Sequence, residues 1–311
     1  MATIDLIKQG KITELPRISV QNNIGSTSFS PDGEFLCVGC EKGQLHFVNV
    51  LSGSITRSKV IEFENAYGEM VNHTISSIVM PKSRPLIIIA SRVGMAIISY
   101  DSKILFSTFL QGWNWPRVKI SRDENLVAVS DDARVLVFSL ESFRKISEFE
   151  TGGGSVGIEF SKDGKYLFTG GNEGKFIQQW DVELGYKISE VDAHSGIILD
   201  LVGSHDGKFL ISSAEDFQMK KWDTESLQSL PVTGIANGKE NQLSFSPDYS
   251  VLATACISRV ATLRDPENLN VIWEHRFENY CTSIGFSGDG QHLSAADDRG
   301  ALKIWTIKSK A

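Results

Sequence analysis

Apolar residues in this chain come in short runs, alternating with polar ones or wholly apolar, and clusters of Gly, Asp, Asn and Ser break every run before it is long enough for a helix. Residues 197–202 (I-I-L-D-L-V) lead into the turn S-H-D-G, then F-L-I-S-S-A, then the turn E-D-F-Q, then M-K-K-W-D. That pattern predicts a meander of four short strands. It recurs along the whole chain. Reference points Ser30, Met80, Ser121, Ser161, Ser204, Ser246 and Ser287 are each followed, six residues on, by an apolar residue: Leu36, Leu86, Val127, Leu167, Leu210, Leu252 and Leu293. Two residues after the reference an Asp returns as Asp32, Asp123, Asp163, Asp206, Asp248 and Asp289, and only the second unit departs, with Lys82.

A four-stranded sheet of this length cannot bury both of its faces alone, so the copies must stack on one another. Seven such sheets set radially close into an all-β, seven-bladed propeller. The expected blades are residues 21–64, 72–110, 111–150, 151–191, 192–232, 233–275 and 276–307, in one domain spanning 1–311. The last unit runs out of chain at its third strand, so its fourth strand is expected from within residues 3–20, making the chain one complete ring.

The pairs Trp180-Asp181 and Trp222-Asp223, the degenerate Ile304-Trp305-Thr306, and the F-S-P-D turns at 29–32 and 245–248 give the chain a resemblance to the WD40-repeat family over nearly its full length. In the fifth unit the resemblance implies a structural hydrogen-bond set of His194, Ser212, Asp216 and Trp222, with Trp180 and Trp305 as the matching positions elsewhere. The second and third units have Ile98 and Phe138 in place of that Trp, and the sixth reads Leu263-Arg264-Asp265. For function the resemblance implies a noncatalytic platform that binds proteins and needs no cofactor.

His194, Ser212 and Asp216 have the residue types of a hydrolase triad, but Ser212 is expected in mid-strand, whereas a nucleophile needs an exposed turn beside oxyanion donors. No G-x-x-x-x-G-K occurs, and the glycines at 152–154 have no helix after them. Cys37 and Cys40 form a C-x-x-C without a second pair or a His pair at ligand spacing, so they and Cys256 and Cys281 read as buried thiols. No metal site is expected. Among first-strand positions, Arg117, Lys119, Glu159 and Asp200 form a mixed-charge set, and they carry the alternative reading of an enzyme or small-molecule site at the channel mouth.

Recognition is instead expected in the loops that differ between blades. The turns between second and third strands carry Lys42, Arg92, Arg134, Lys175, Arg259 and Arg299, with Phe217 and Gln218 in the exceptional unit. A broken basic ring of this kind could hold an acidic or phosphorylated peptide. Two insertions join it: E-N-A-Y-G-E-M-V-N at 64–72, and Q-G-W-N-W-P-R at 111–117, where Trp113 is expected in a loop and Trp115 in the core. The candidate partner-binding residues are thus Tyr67, Met70, Arg92, Trp113, Arg117, Arg134, Phe217, Arg259 and Arg299. The formal net charge of -7 and the acids interleaved with the ring argue against nucleic acid. No run of about 18 apolar residues is present to span a bilayer, and no secretory start precedes the first unit. A monomer in the cytoplasm or nucleus is the resulting expectation.

Overall fold

The computed structural model describes residues 2–16, 18–64, 67–111, 115–154, 157–171, 173–236 and 238–307. They form seven blades, each an antiparallel meander whose strands follow chain order from the axis outward, except that the seventh takes its outermost strands from the N-terminal residues. The first strands are Ile24–Phe29, Ile75–Val79, Val118–Ile120, Ile158–Phe160, Ile198–Gly203, Glu240–Phe245 and Cys281–Phe286. Each lies beside the first strand of the next blade, and the seventh lies beside the first, so the ring closes.

The second strands explain the apolar runs. Leu86–Ser91 is buried at every position, because each of its faces meets a neighbouring blade. The core is accordingly a set of wedges between blades. Cys37, Leu45 and Phe47 of the first blade pack with Ile75, Ile87 and Ile89 of the second. Fourth strands sit at the rim, and Ile55–Val60 is exposed throughout.

The recurring Ser and Asp form one hydrogen-bonded turn, made six times. The reference Ser Oγ donates to Asp Oδ1 over 2.5–2.7 Å in the pairs Ser30–Asp32, Ser121–Asp123, Ser161–Asp163, Ser204–Asp206, Ser246–Asp248 and Ser287–Asp289. The same Asp oxygen accepts the N–H two residues on, as from Asn125 and Lys208, and the Ser Oγ accepts the N–H five residues on, as from Leu126 and Phe209. The second unit, which lacks the Asp, borrows a carboxylate: Glu124 of the third blade accepts the N–H groups of Lys82 (2.6 Å) and Ser83 (2.7 Å).

Closure uses the N-terminus. Ile12–Glu14 pairs with Ala301–Ile307 in the register Ile12 to Ile307, and Ile18–Ser19 adds to the same strand. Residues Thr3–Lys8, within the range where a strand was expected, are a helix. Its first N–H groups, which no helical partner can satisfy, are taken by Asp248 (Thr3 N, 2.7 Å) and Ser250 Oγ (Ile4 N, 3.1 Å), while Ile7 is buried against Val251 and Phe277. The insertion after the first blade is a two-stranded ribbon, Phe63–Glu64 with Met70–Val71, and Phe63 anchors it in the wedge between the first two blades.

Candidate partner-binding face and channel

In the fifth blade His194 Nε2 meets Ser212 Oγ at 2.7 Å, Trp222 Nε1 donates to the same oxygen at 2.8 Å, and His194 Nδ1 lies 3.0 Å from Asp216. Ser212 is completely buried in mid-strand, so the trio ties a turn to two strands and presents no nucleophile. Burial holds the His194 pKa below its ordinary value, against the pull of Asp216. In the fourth blade Trp180 Nε1 donates to Thr169 Oγ1 at 3.0 Å, and Trp305 in the seventh packs edge-on to Trp273.

The sixth blade solves the same problem with an ion pair. Arg264 opposes Leu252 as Trp222 opposes Leu210, and Thr254 stands where Ser212 does. Arg264 Nη2 donates to Glu240 Oε1 at 3.1 Å, Nη1 donates to the carbonyls of Ile235 and Leu269 (2.9 Å each), and Nε donates to Thr262 Oγ1. Thr254 Oγ1 donates to the other Glu240 oxygen at 2.8 Å. Both charged side chains are fully buried.

Along the channel wall, polar side chains of one first strand take the N–H of the next. Ser26 accepts from Ile78, Ser77 from Val118, Asp200 from Leu243, Gln242 from Ile284, and Ser283 from Thr27, over 2.8–3.2 Å. Lys119 Nζ sits 3.2 Å from Glu159 and 3.6 Å from Asp200, and donates to Leu201 O. Burial works against the Lys119 charge, but the two carboxylates outweigh it and raise its pKa. Burial raises that of Glu159. Arg117 reaches across the axis to Asn241 O. The mixed-charge set therefore ties blades together, and among the described residues no group of three or more His, Cys, Asp or Glu is placed to hold a metal ion.

At one mouth of the channel, where second-to-third-strand turns and blade connections meet, lies a cavity of about 500 Å³. It is lined by the apolar Ile197, Leu199, Ile257, Tyr280 and Trp115, by Arg117 and Asn241, and by the acids Glu41, Glu215 and Asp298. Trp115 was expected in the core but is 46% exposed. The first strand of the third blade begins only at Val118, so Trp115 falls short of the sheet and stands in the connection, with the Arg92 guanidinium 4.4 Å over its ring.

The basic residues of the turns have several placements. Arg134 is paired with Asp131 (2.5 Å) and Glu148 (2.7 Å), and Lys175 with Glu173. Lys42, Arg259 and Arg299 are exposed and have no ion pair among the described residues, while Arg92 covers Trp115. Apart from Arg117, none of these candidates lines the mouth; the acids next to Lys42 and Arg299 do. Phe217 is 58% exposed beside that mouth, with the Lys239 ammonium 6.0 Å over its ring. Tyr67 (88% exposed) and Met70 project from the ribbon, away from the cavity lining. Trp113 lies outside the described residues. Ile257 and Tyr280 went unnoticed in the sequence, although each is a large apolar side chain in a turn or connection, where burial is not expected.

A model of the WD domain, G-beta repeat matches residues 185–223 and 267–306, and one of the anaphase-promoting complex subunit 4 WD40 domain matches residues 6–76. With seven four-stranded blades, they decide the family. The chain is a WD40-repeat β-propeller. Among curated WD40 relatives, human pre-mRNA-processing factor 17 is 24% identical over 57% of this chain and 32% of its own length. Autophagy-related protein 16 of Arabidopsis thaliana is 27% identical over 48% of this chain and 30% of its own. The WD repeat and SOCS box-containing protein 1 of Takifugu rubripes is 29% identical over 50% and 49% respectively. The chain thus spans about a third to a half of the length of these relatives. WD40 propellers generally act as protein-interaction scaffolds, and no described helix is long and apolar enough to cross a membrane.

Proposed function

We propose that this WD40 propeller is a noncatalytic scaffold that takes a segment of a protein partner at the apolar channel mouth. The observation that carries this reading is a cavity of about 500 Å³ framed by exposed Trp115, Tyr280 and Ile257 on a closed ring. Aromatic side chains with one face in solvent are the residues most enriched at binding hot spots, and a rigid rim spares the partner site the entropy of ordering its loops. The relatives named above include proteins of splicing and autophagy, and a common platform for unlike partners fits that range.

Catalysis at the channel is the weaker reading, because Lys119, Glu159, Asp200 and Arg117 are engaged with one another and with backbone carbonyls. The test is affinity capture from native lysate with the wild-type chain and with Trp115→Ala/Tyr280→Ala, each checked for an unchanged melting temperature. Loss of one set of captured proteins from the variant supports the mouth as the site. Equal capture by both chains removes it, and turnover in a hydrolase panel would restore the enzymatic reading.

A further inference from the structure

We infer that the segment taken at this mouth is basic, with an Arg or Lys side chain set among the three lining carboxylates and its stem laid against Trp115 and Tyr280. The inference rests on the proposed partner site and reverses the sign of the ligand that the basic turns suggested.

The reversal comes from which member of each turn faces inward. In the first and seventh blades an acid and a base are adjacent in the same turn, Glu41-Lys42 and Asp298-Arg299, and in both it is the acid that lines the cavity. Glu215 supplies the third carboxylate from the fifth blade. Against these three the lining holds one cation, Arg117, so its formal charge is 1 - 3 = -2. Among the described residues Glu41 has no ion pair and Asp298 Oδ1 accepts only the N–H of Tyr280, while Glu215 has Lys239 on one oxygen at 3.1 Å. Carboxylates beside low-dielectric walls focus their field into the cleft between them, which favours entry of a positive group.

The walls suit the rest of a long cationic side chain. Lys and Arg carry apolar stems that pack on hydrophobic surface while the charge stays at the polar edge, and a guanidinium or ammonium gains further by lying over an aromatic ring. The protein already contains that contact, with Arg92 over Trp115, so the indole is held in place from one side. In the same lining, Asn241 Oδ1 is a buried acceptor with no hydrogen-bond partner among the described residues. Arg117, which donates to Asn241 O, repels an incoming cation and so favours its placement beside the carboxylates.

A positional-scanning dodecapeptide library, with one central position fixed as Arg, Lys, Gln or Glu and degenerate flanks, provides the test. It is applied to the wild-type chain, to Glu41→Gln/Glu215→Gln/Asp298→Asn, and to Trp115→Ala. Arg- and Lys-centred pools should bind about tenfold more tightly than Glu-centred pools, with the preference falling as salt is raised. The triple variant should lose the preference while its melting temperature holds. Glu- or Gln-centred pools that bind best, or a cationic preference that survives the triple variant, would overturn the inference, and sensitivity of that binding to Trp115→Ala would leave the mouth itself as the site. Binding that ignores both variants, or no binding by any pool, would overturn the inference and the partner site together.

Discussion

Replacing Arg264 by Met should be among the most damaging single changes available to this chain. The guanidinium is fully buried and serves Glu240, Thr262 Oγ1 and the carbonyls of Ile235 and Leu269. Removing one partner of a buried ion pair costs about 3–5 kcal/mol, because the other charge is left without compensation. Two stranded carbonyls add about 1 kcal/mol each at the low end of the range for buried unsatisfied acceptors. The expected loss is therefore about 5–7 kcal/mol, a large part of the about 5–15 kcal/mol that holds a typical domain together. At about 2 °C per kcal/mol for a chain of this size, the melting temperature should fall by about 10 °C or more. Arg264→Met/Glu240→Leu removes both charges and should lie closer to the wild type than Arg264→Met does, since a buried pair exchanged for apolar groups is often near neutral. Calorimetry on the two single variants and the double variant gives the coupling, expected at about 3 kcal/mol. A loss below about 1 kcal/mol for Arg264→Met, or additive losses in the double variant, would refute the claim that this pair replaces the Trp222 network.

Three further outcomes are expected. Ser212→Ala strands Trp222 Nε1 and His194 Nε2 and should cost about 2 kcal/mol, while Trp222→Ala should cost about 3–5 kcal/mol; both are read by urea unfolding, with library binding unchanged after refolding. Stability should fall with acid in two stages. The folded His194 pKa lies below 6.5, so the unfolded state binds the extra proton first and stability declines as pH drops past about 6.5. Despite opposing burial, donors in the Ser-x-Asp turns hold Asp123, Asp163 and Asp248 below their ordinary range, and Ser204 with nearby N–H groups does the same for Asp206. Their stabilisation is complete above about pH 4 and should be lost as pH falls toward 2, where Asp248 titrates. Urea midpoints at neutral, mildly acid and strongly acid pH check both stages, and His194→Gln should weaken the first without abolishing it, because burial also lowers the pKa of His46, His73 and His275. Finally, Asp248→Ala removes both the acceptor at the start of the N-terminal helix and the carboxylate of the Ser246 turn, and should cost about 2 kcal/mol, with the helix part seen as faster tryptic cleavage at Lys8 or Lys11.

The architecture was legible because each blade repeats one solution, and Ser-x-Asp marks it in six of the seven units. What repetition could not reveal is how a departing unit is repaired. Glu124 looks like an ordinary turn residue, yet it completes the second blade's turn from the third. Arg264 and Glu240 are 24 residues apart, and only the pairing of strands makes them partners. The candidate site was read least well. Charge in a turn is visible in sequence, but which side chain meets a cavity depends on backbone geometry, and at Glu41-Lys42 and Asp298-Arg299 only the acid lines it. Trp115 was assigned to a strand by alignment with longer first strands, whereas its own blade has only three residues there.

Pairing Ile12 with Ile307 also sets a timetable for synthesis. The two residues are 307 - 12 = 295 positions apart, so the earlier strand must wait for the later one. At about 5–20 residues per second, that interval is about 15–60 s, during which Ile12–Glu14 has no partner on its own chain and the nascent blades stand as an open arc. A growing polypeptide in that state offers two unsealed edges to any other strand nearby. Final assembly becomes possible only once residues 301–307 have left the ribosome, so the yield of closed rings should depend on chaperone capacity and translation rate as much as on equilibrium stability.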